Sequence, residues 1–246
     1  MKNVLIIGCG LIGSSLLRAI ADKKIAKKIF IYEKSKSNIL KIKKLKLPCE
    51  ITNDLKKNIS NLDLIIFCTP LGEYEKIILK INKYLLPKTI ITDVGSSKEM
   101  SMNLIKRSLK KGIFWTSSHP IAGSEVSGPE YGVKNLFLNK WCILIKEKNT
   151  NRKHLRILAK FWKKIGSSVA IMDSKKHDTV FSMTSHLPHL IAYNLVKTAT
   201  DFEKQQTYEL IKFSAGGLRD FSRIAASNEI MWRDIFFNNQ KNISKV

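Results

Sequence analysis

The chain has 246 residues, 44% of them hydrophobic and 26% charged, with 43 Lys and Arg against 20 Asp and Glu for a formal charge of +23. This is a globular composition with enough apolar residues for a core, which excludes a disordered basic tail protein. Only 7 of the 43 cations are Arg, and a scattered Lys excess beside abundant Ile and Asn fits solvated faces and an A/T-rich codon bias, not the Arg-rich patches that read nucleic acid.

Short apolar runs alternate with amphipathic stretches from the first residues. Strands are expected at 4–7, 29–32, 64–68, 90–92, 113–116, 142–145 and 169–172. Helical spacing falls at 11–21, 71–84, 98–109 and 153–164. Lys41, Lys43, Lys44 and Lys46 read as the wet face of a further helix. The alternation predicts an α/β fold, a Rossmann-like doubly wound sheet over residues 1–173. After Asp173 the strands stop, and helices are expected at 175–202, 205–214 and from Asn228 onward. This smaller all-α domain, residues 174–246, buries little alone, which suggests dimerisation through it.

Cys9, Cys49, Cys68 and Cys142 are far apart with no paired spacing, so neither a disulfide framework nor a structural metal is expected. No stretch reaches the roughly 18 apolar residues of a membrane span, and the first strand begins at once, so a soluble cytoplasmic protein is expected.

Gly8-Cys9-Gly10-Leu11-Ile12-Gly13 is a G-x-G-x-x-G between a predicted strand and a predicted helix. Gly8 suits the tight turn, Gly10 lets the backbone approach a pyrophosphate, and Gly13 lets the helix pack closely. The helix N-terminus receives the phosphate charge. Glu33, at the end of the next strand, suits the adenosine ribose hydroxyls and disfavours a 2′-phosphate, so the expected cofactor is NAD; Lys34 and Lys36 would soften that preference. Thr69-Pro70 and Asp93-Val94-Gly95-Ser96 end two further strands on the ligand-bearing side of such a sheet, with Gly95 leaving room for a ring.

His119, in Ser118-His119-Pro120, stands at a strand end as a candidate base beside a nicotinamide, the alternative being a histidine satisfied in a turn. His186 and His189 flank Pro188 without an accompanying carboxylate or thiol, which argues against zinc. Arg219 and Arg223, four apart beside Asp220, fit either a surface helix or an anion site.

In this order, Gly8-x-Gly10-Leu11-Ile12-Gly13, Asp93-x-Gly95-Ser96-x-Lys98, His119-Pro120-Ile121-Ala122-Gly123-Ser124-Glu125-x-x-Gly128, Ser185-His186-Leu187-Pro188-His189, Arg219-Asp220-Phe221-x-Arg223 and Met231-Trp232-x-Asp234 closely resemble the prephenate dehydrogenase family. The resemblance implies NAD-dependent oxidative decarboxylation of prephenate to 4-hydroxyphenylpyruvate in tyrosine biosynthesis, by dimers joined through the helical domain. It makes His119 the catalytic base, Ser96 the serine that contacts that histidine and the nicotinamide region, and Arg223 the substrate-binding arginine. His189, Trp232 and His186 would line the substrate cavity, with Ser124 and Glu125 at its mouth.

Leu218 departs from the aromatic that the family more often carries there. The end at Val246 implies a shortened helical unit and no regulatory domain. The motifs do not separate prephenate use from arogenate or dual-specificity use. More distant alternatives are a 3-hydroxyacid or 6-phosphogluconate-type dehydrogenase and a dinucleotide-binding non-enzyme with a basic surface.

Overall fold

The computed structural model describes residues 1–57, 59–205 and 211–246. Five parallel strands, β1 (Asn3–Ile7), β2 (Lys28–Tyr32), β3 (Glu50–Ile51), β4 (Leu64–Phe67) and β5 (Ile90–Asp93), lie in the order β3-β2-β1-β4-β5. Their crossovers carry α1 (Leu11–Asp22), α2 (Lys36–Lys44) and α3 (Tyr74–Ile81), and α4 (Glu99–Ser108) follows β5. A second sheet holds β6 (Ser118–Pro120), β7 (Trp141–Ile145) and β8 (Ser168–Met172), with β6 antiparallel and β8 parallel to β7. Helix α5 (Arg152–Lys164) makes the crossover between β7 and β8.

β1 is apolar without alternation because both its faces are covered. Val4 and Ile6 enter one core with Leu16, Leu17 and Ile20 of α1, while Leu5 and Ile7 enter the other with Ile77 and Ile78 of α3. Of the expected strands, 113–116 differs. Only Trp115 bridges β5, at Ile91, and regular pairing is delayed to Ser118–Pro120. There β6 is an edge strand, the one place where Pro120, which has no N–H to donate, fits a ladder.

The helical region runs through α6 (Ser174–Phe181), a π turn (Ser182–His186), α7 (Leu187–Gln205), α8 (Gly216–Ala225), α9 (Glu229–Asn238) and α10 (Gln240–Ile243). Pro188 explains the π turn: its ring would strike the Thr184 carbonyl of a regular helix, and widening the preceding turn removes the clash. Half of the helix expected at 205–214 falls outside the described residues; its described part is the end of α7 and a 3-10 turn at Ile211–Phe213. In the chain's α2, Ile42 is buried and Lys41, Lys43 and Lys44 are not, while Lys46 lies just beyond with φ of 49°. The helical unit is pinned to the sheet domain by α9, whose Trp232 and Ile235 complete the core that holds Leu5 and Ile7.

Candidate active site

Strand register assembles the site. Ile7 is paired with both Tyr32 and Phe67, and Phe67 with Asp93, so Gly8, Glu33, Cys68 and Val94 follow one another across the carboxyl edge of the sheet. Gly8 has φ of +90°, and a Cβ there would stand 2.9 Å from the Cys68 carbonyl oxygen. A Cβ on Gly13 would lie 2.1 Å from the Gly8 carbonyl oxygen, so this glycine lets α1 start directly against the turn. A Cβ on Gly10, by contrast, would meet nothing within 4 Å. The first turn of α1 has neither a capping side chain nor an acidic residue, which leaves its N–H groups free to receive an anion.

Glu33 is fixed beside that turn. One carboxylate oxygen accepts from the Cys9 N–H at 2.8 Å and the other from the Ser35 N–H at 2.9 Å. Lys34, which would have softened the preference against a 2′-phosphate, is instead paired with Glu73. Thr69 Oγ1 is buried without a hydrogen-bond partner, as expected of a group reserved for a ligand. These features fit an NAD dinucleotide: an open glycine loop for the pyrophosphate and a held carboxylate for the ribose.

Asp93 departs from the expectation that it meets the cofactor. It is 1% exposed, and its carboxylate accepts from Lys98 Nζ at 2.7 Å, the Gly95 N–H at 3.0 Å, Trp115 Nε1 at 3.2 Å and Tyr74 Oη at 3.3 Å, and also from Ser117 Oγ. A carboxylate so engaged has no capacity left for a ligand; it anchors the start of β6 and the loop that carries Ser96. Gly95 likewise makes room for the protein, not for a ring. A Cβ there would stand 2.6 Å from Leu71 and 2.9 Å from the Tyr74 hydroxyl.

His119 projects from β6 into a nest of helical residues. Its Nδ1 is 2.8 Å from His177 Nε2, and His177 Nδ1 is 2.8 Å from Asp178 Oδ1. Phe181 packs on both rings, with centroids 4.8 and 4.5 Å away. Asp178 also accepts the N–H groups of Lys98 and Glu99, at 2.9 and 2.8 Å, and so caps α4 from outside. Burial pushes the His119 imidazole well below its usual pKa, and His177 and Lys98 push it the same way, so the ring is neutral at physiological pH. No hydrogen bond joins Ser96 to His119; the Nδ1 of that ring is engaged by His177.

The histidines expected from sequence to line a cavity form a contiguous cluster. His186 is fully buried, takes a 2.8 Å hydrogen bond from Asn239 Nδ2, and lies edge-on to Trp232. His189 stacks on Trp232 with centroids 3.6 Å apart. Two nitrogens here, Trp232 Nε1 and His186 Nε2, are buried without a partner; the Ser96 backbone lies near His186 but not in hydrogen-bond geometry. Arg223 is not in this cluster. It is exposed on α8, and its guanidinium has no hydrogen bond or ion pair among the described residues. Ser124 and Glu125 sit on the exposed loop after β6, likewise without polar partners.

His177 and Asp178, which complete this cluster, carry no motif that singles them out in the sequence. The clue was their adjacency one helical turn after the last strand, too common a pattern to single out. Burial pulls His186 down to about 4 from 6.5. Between pH 6.5 and 4 the unfolded chain takes up a proton that this ring refuses, so stability falls with falling pH by about 3 kcal/mol from His186 alone. His119 and His177, also depressed, add in the same sense. Urea melts at pH 7 and pH 4.5 should show the loss, and superimposable melts would contradict it.

A parallel sheet that offers a bare helix N-terminus to a pyrophosphate and an anchored acid to a ribose, with a neutral histidine across the same edge, defines an NAD-dependent dehydrogenase. Residues 16–171 match the family model for the prephenate dehydrogenase nucleotide-binding domain, and residues 173–246 match that for the prephenate dehydrogenase dimerization domain. The chain belongs to the prephenate dehydrogenase family. It is 33% identical to a cyclohexadienyl dehydrogenase of Zymomonas mobilis, covering 97% of this chain and 81% of that protein. It is also 33% identical to a prephenate dehydrogenase of Lactococcus lactis, covering 97% of this chain but 65% of that one. The crystal structure of prephenate dehydrogenase from Aquifex aeolicus with hydroxyphenyl propionate and NAD+ superimposes with a TM-score of 0.91 at 34% identity, over 100% of this chain and 85% of that chain.

Proposed function

We propose that the protein oxidatively decarboxylates prephenate to 4-hydroxyphenylpyruvate with NAD, as a step of tyrosine biosynthesis. The observation that carries this reading is His119: a buried, neutral imidazole whose Nδ1 is engaged and whose Nε2 has no partner among the described residues, at the edge where the glycine loop opens. NAD, when bound, supplies the hydride acceptor, held by Gly8, Gly10, Leu11, Ile12 and Gly13, with Glu33 toward the ribose and Thr69-Pro70 and Ser96 toward the nicotinamide end. His119 Nε2 takes the proton of the substrate's ring hydroxyl. Loss of the ring carboxylate as carbon dioxide makes the ring aromatic and the step downhill, so the chain's tasks are positioning and proton removal.

His186, His189 and Trp232 line the ring's cavity in this reading, with Ser124 and Glu125 at its mouth. Arg223 offers an unpaired guanidinium fork to a substrate carboxylate. Arg223→Ala is expected to raise KM for prephenate by about 10–100-fold, the worth of a charge-assisted hydrogen bond, with little change in NAD affinity. Titration of the variant with NAD checks this; a collapse of NAD binding would contradict the role. NADH absorbance with purified enzyme and prephenate tests the function itself.

A second reading, dual use of prephenate and arogenate, is favoured by the cyclohexadienyl dehydrogenase relative. The same assay with arogenate separates the two. The helical unit joins two copies in a homodimer: among its described residues, α7 buries only Ala192 and α8 buries none, while Ile191, Leu195, Phe202 and Phe213 stand exposed. The cytoplasm is its site of action. The lysines coat a solvated surface and hold no nucleic acid, consistent with pairs such as Lys28–Glu50 and Lys41–Glu130.

A further inference from the structure

We infer that His177 is a positioning residue that holds His119 in the single tautomer able to act as a base, with Asp178 as the fixed end of the relay. The inference rests on the reading of His119 as the base that takes the hydroxyl proton.

Asp178 has an unambiguous hydrogen-bond role. Its two carboxylate oxygens accept the backbone N–H groups of Lys98 and Glu99, at 2.9 and 2.8 Å. Backbone amides only donate, so both carboxylate oxygens act as acceptors here. These bonds also tie the carboxylate to the start of a ten-residue helix, so it does not swing away. The 2.8 Å contact between Asp178 Oδ1 and His177 Nδ1 therefore requires a proton on Nδ1.

A neutral imidazole carries one N–H, and burial keeps His177 toward the neutral form even against the pull of Asp178. Its Nε2 is then a lone pair and can only accept. The 2.8 Å contact with His119 Nδ1 becomes a donation from His119, so the single proton of the neutral His119 ring sits on Nδ1. Nε2 of His119 is left as the lone pair, and it is the nitrogen without a partner among the described residues.

Without His177 the ring would be free to place its proton on Nε2, and that form has no lone pair to offer the substrate hydroxyl. The relay also gives an orientation. His177 is fully buried, and Phe181 packs against both rings, so His119 is held from two sides. Asp178 further links the base to the cofactor side of the site. The helix start that it caps lies two residues beyond Ser96, so base and Ser96 loop share one anchor.

The test is a tautomer measurement backed by kinetics. Two-bond proton–nitrogen correlation spectra of the full-length protein with 15N-labelled histidine should show His119 and His177 each protonated at Nδ1 at pH 7.5. A His119 ring protonated at Nε2, or averaging between the two forms, would overturn the inference without any substitution. His177→Leu removes the acceptor while leaving Asp178 its two backbone donors. It should lower kcat for prephenate by about 10²-fold, as expected when a base is free to adopt the wrong tautomer, with KM and NAD affinity within about threefold. His177→Gln can accept from His119 through Oε1 and donate to Asp178 through Nε2, and it should recover most of the loss. A His177→Leu enzyme with kcat within about threefold of the parent, or a Gln variant no better than Leu, overturns the role. If His119→Asn were as active as the parent enzyme, the base assignment itself would fail, a result distinct from any seen at position 177.

Discussion

Replacing His119 by Asn is expected to lower kcat for prephenate by about 10²–10⁴-fold, the range a positioned general base contributes, while NAD affinity and folding stay close to those of the parent. Asn suits the test because its amide can occupy the place of Nδ1 and continue to donate to His177, so the hydrogen bond behind the base survives. What is lost is the Nε2 lone pair. The loss should be felt in kcat because His119 is held neutral by burial, His177 and Lys98, and the parent enzyme enters each turnover with its base ready. NADH formation under saturating substrate and an independent NAD titration measure the two quantities. A variant that keeps more than a tenth of kcat would sink the base role and favour the 3-hydroxyacid or 6-phosphogluconate type of chemistry.

The dinucleotide half of the site was legible in the chain because its determinants are local. Gly8, Gly10 and Gly13 lie within one turn, and their uses follow from backbone geometry that no distant residue alters. Glu33 was equally readable, since a strand of known start puts its end beside the glycine turn through parallel register. The relay behind His119 was not legible. His119 and His177 are 58 positions apart and meet only because α6 folds back across β6. Asp93 was misread for a related reason: at a strand end it looks like a ligand-facing acid, and only the packing of Tyr74, Trp115, Ser117 and Lys98 around it turns it inward. A lysine five positions on was the one available signal.

Elements were missed where local preference is weak. β3 has two residues, too few to show a period, and α8 opens on Gly216-Gly217, which disfavour a helix interior. The exposed state of Arg223 carries a different lesson. A motif fixes a residue's type and spacing, but whether its guanidinium meets a substrate depends on what covers α8. That helix buries none of its own residues within a single chain.

Lys98→Met should produce the largest change in stability, because it breaks a pair that water cannot rescue. Both partners are buried, at 0% and 1% exposure, with 2.7 Å between Nζ and Oδ2 and a second 2.7 Å bond from Nζ to the Ser118 carbonyl. Removing one member of such a pair leaves an uncompensated charge on Asp93 and costs about 3–5 kcal/mol. For a chain of this length that lowers Tm by roughly 6–20 °C. The four neutral donors to Asp93 remain and set the lower end of that range. Two comparisons isolate the cause. Lys197→Met removes a cation from an exposed pair, Lys197–Asp201, and should leave Tm unchanged. Adding Asp93→Asn to Lys98→Met removes the stranded charge and should recover part of the loss, since the two effects are not additive for partners in contact. Because the Ser118 carbonyl held by Lys98 immediately precedes His119, kcat of the single variant should fall below the parent's even at temperatures where it remains folded. Recovery of stability in the double variant without recovery of kcat would separate Lys98's hold on the base from its hold on the charge.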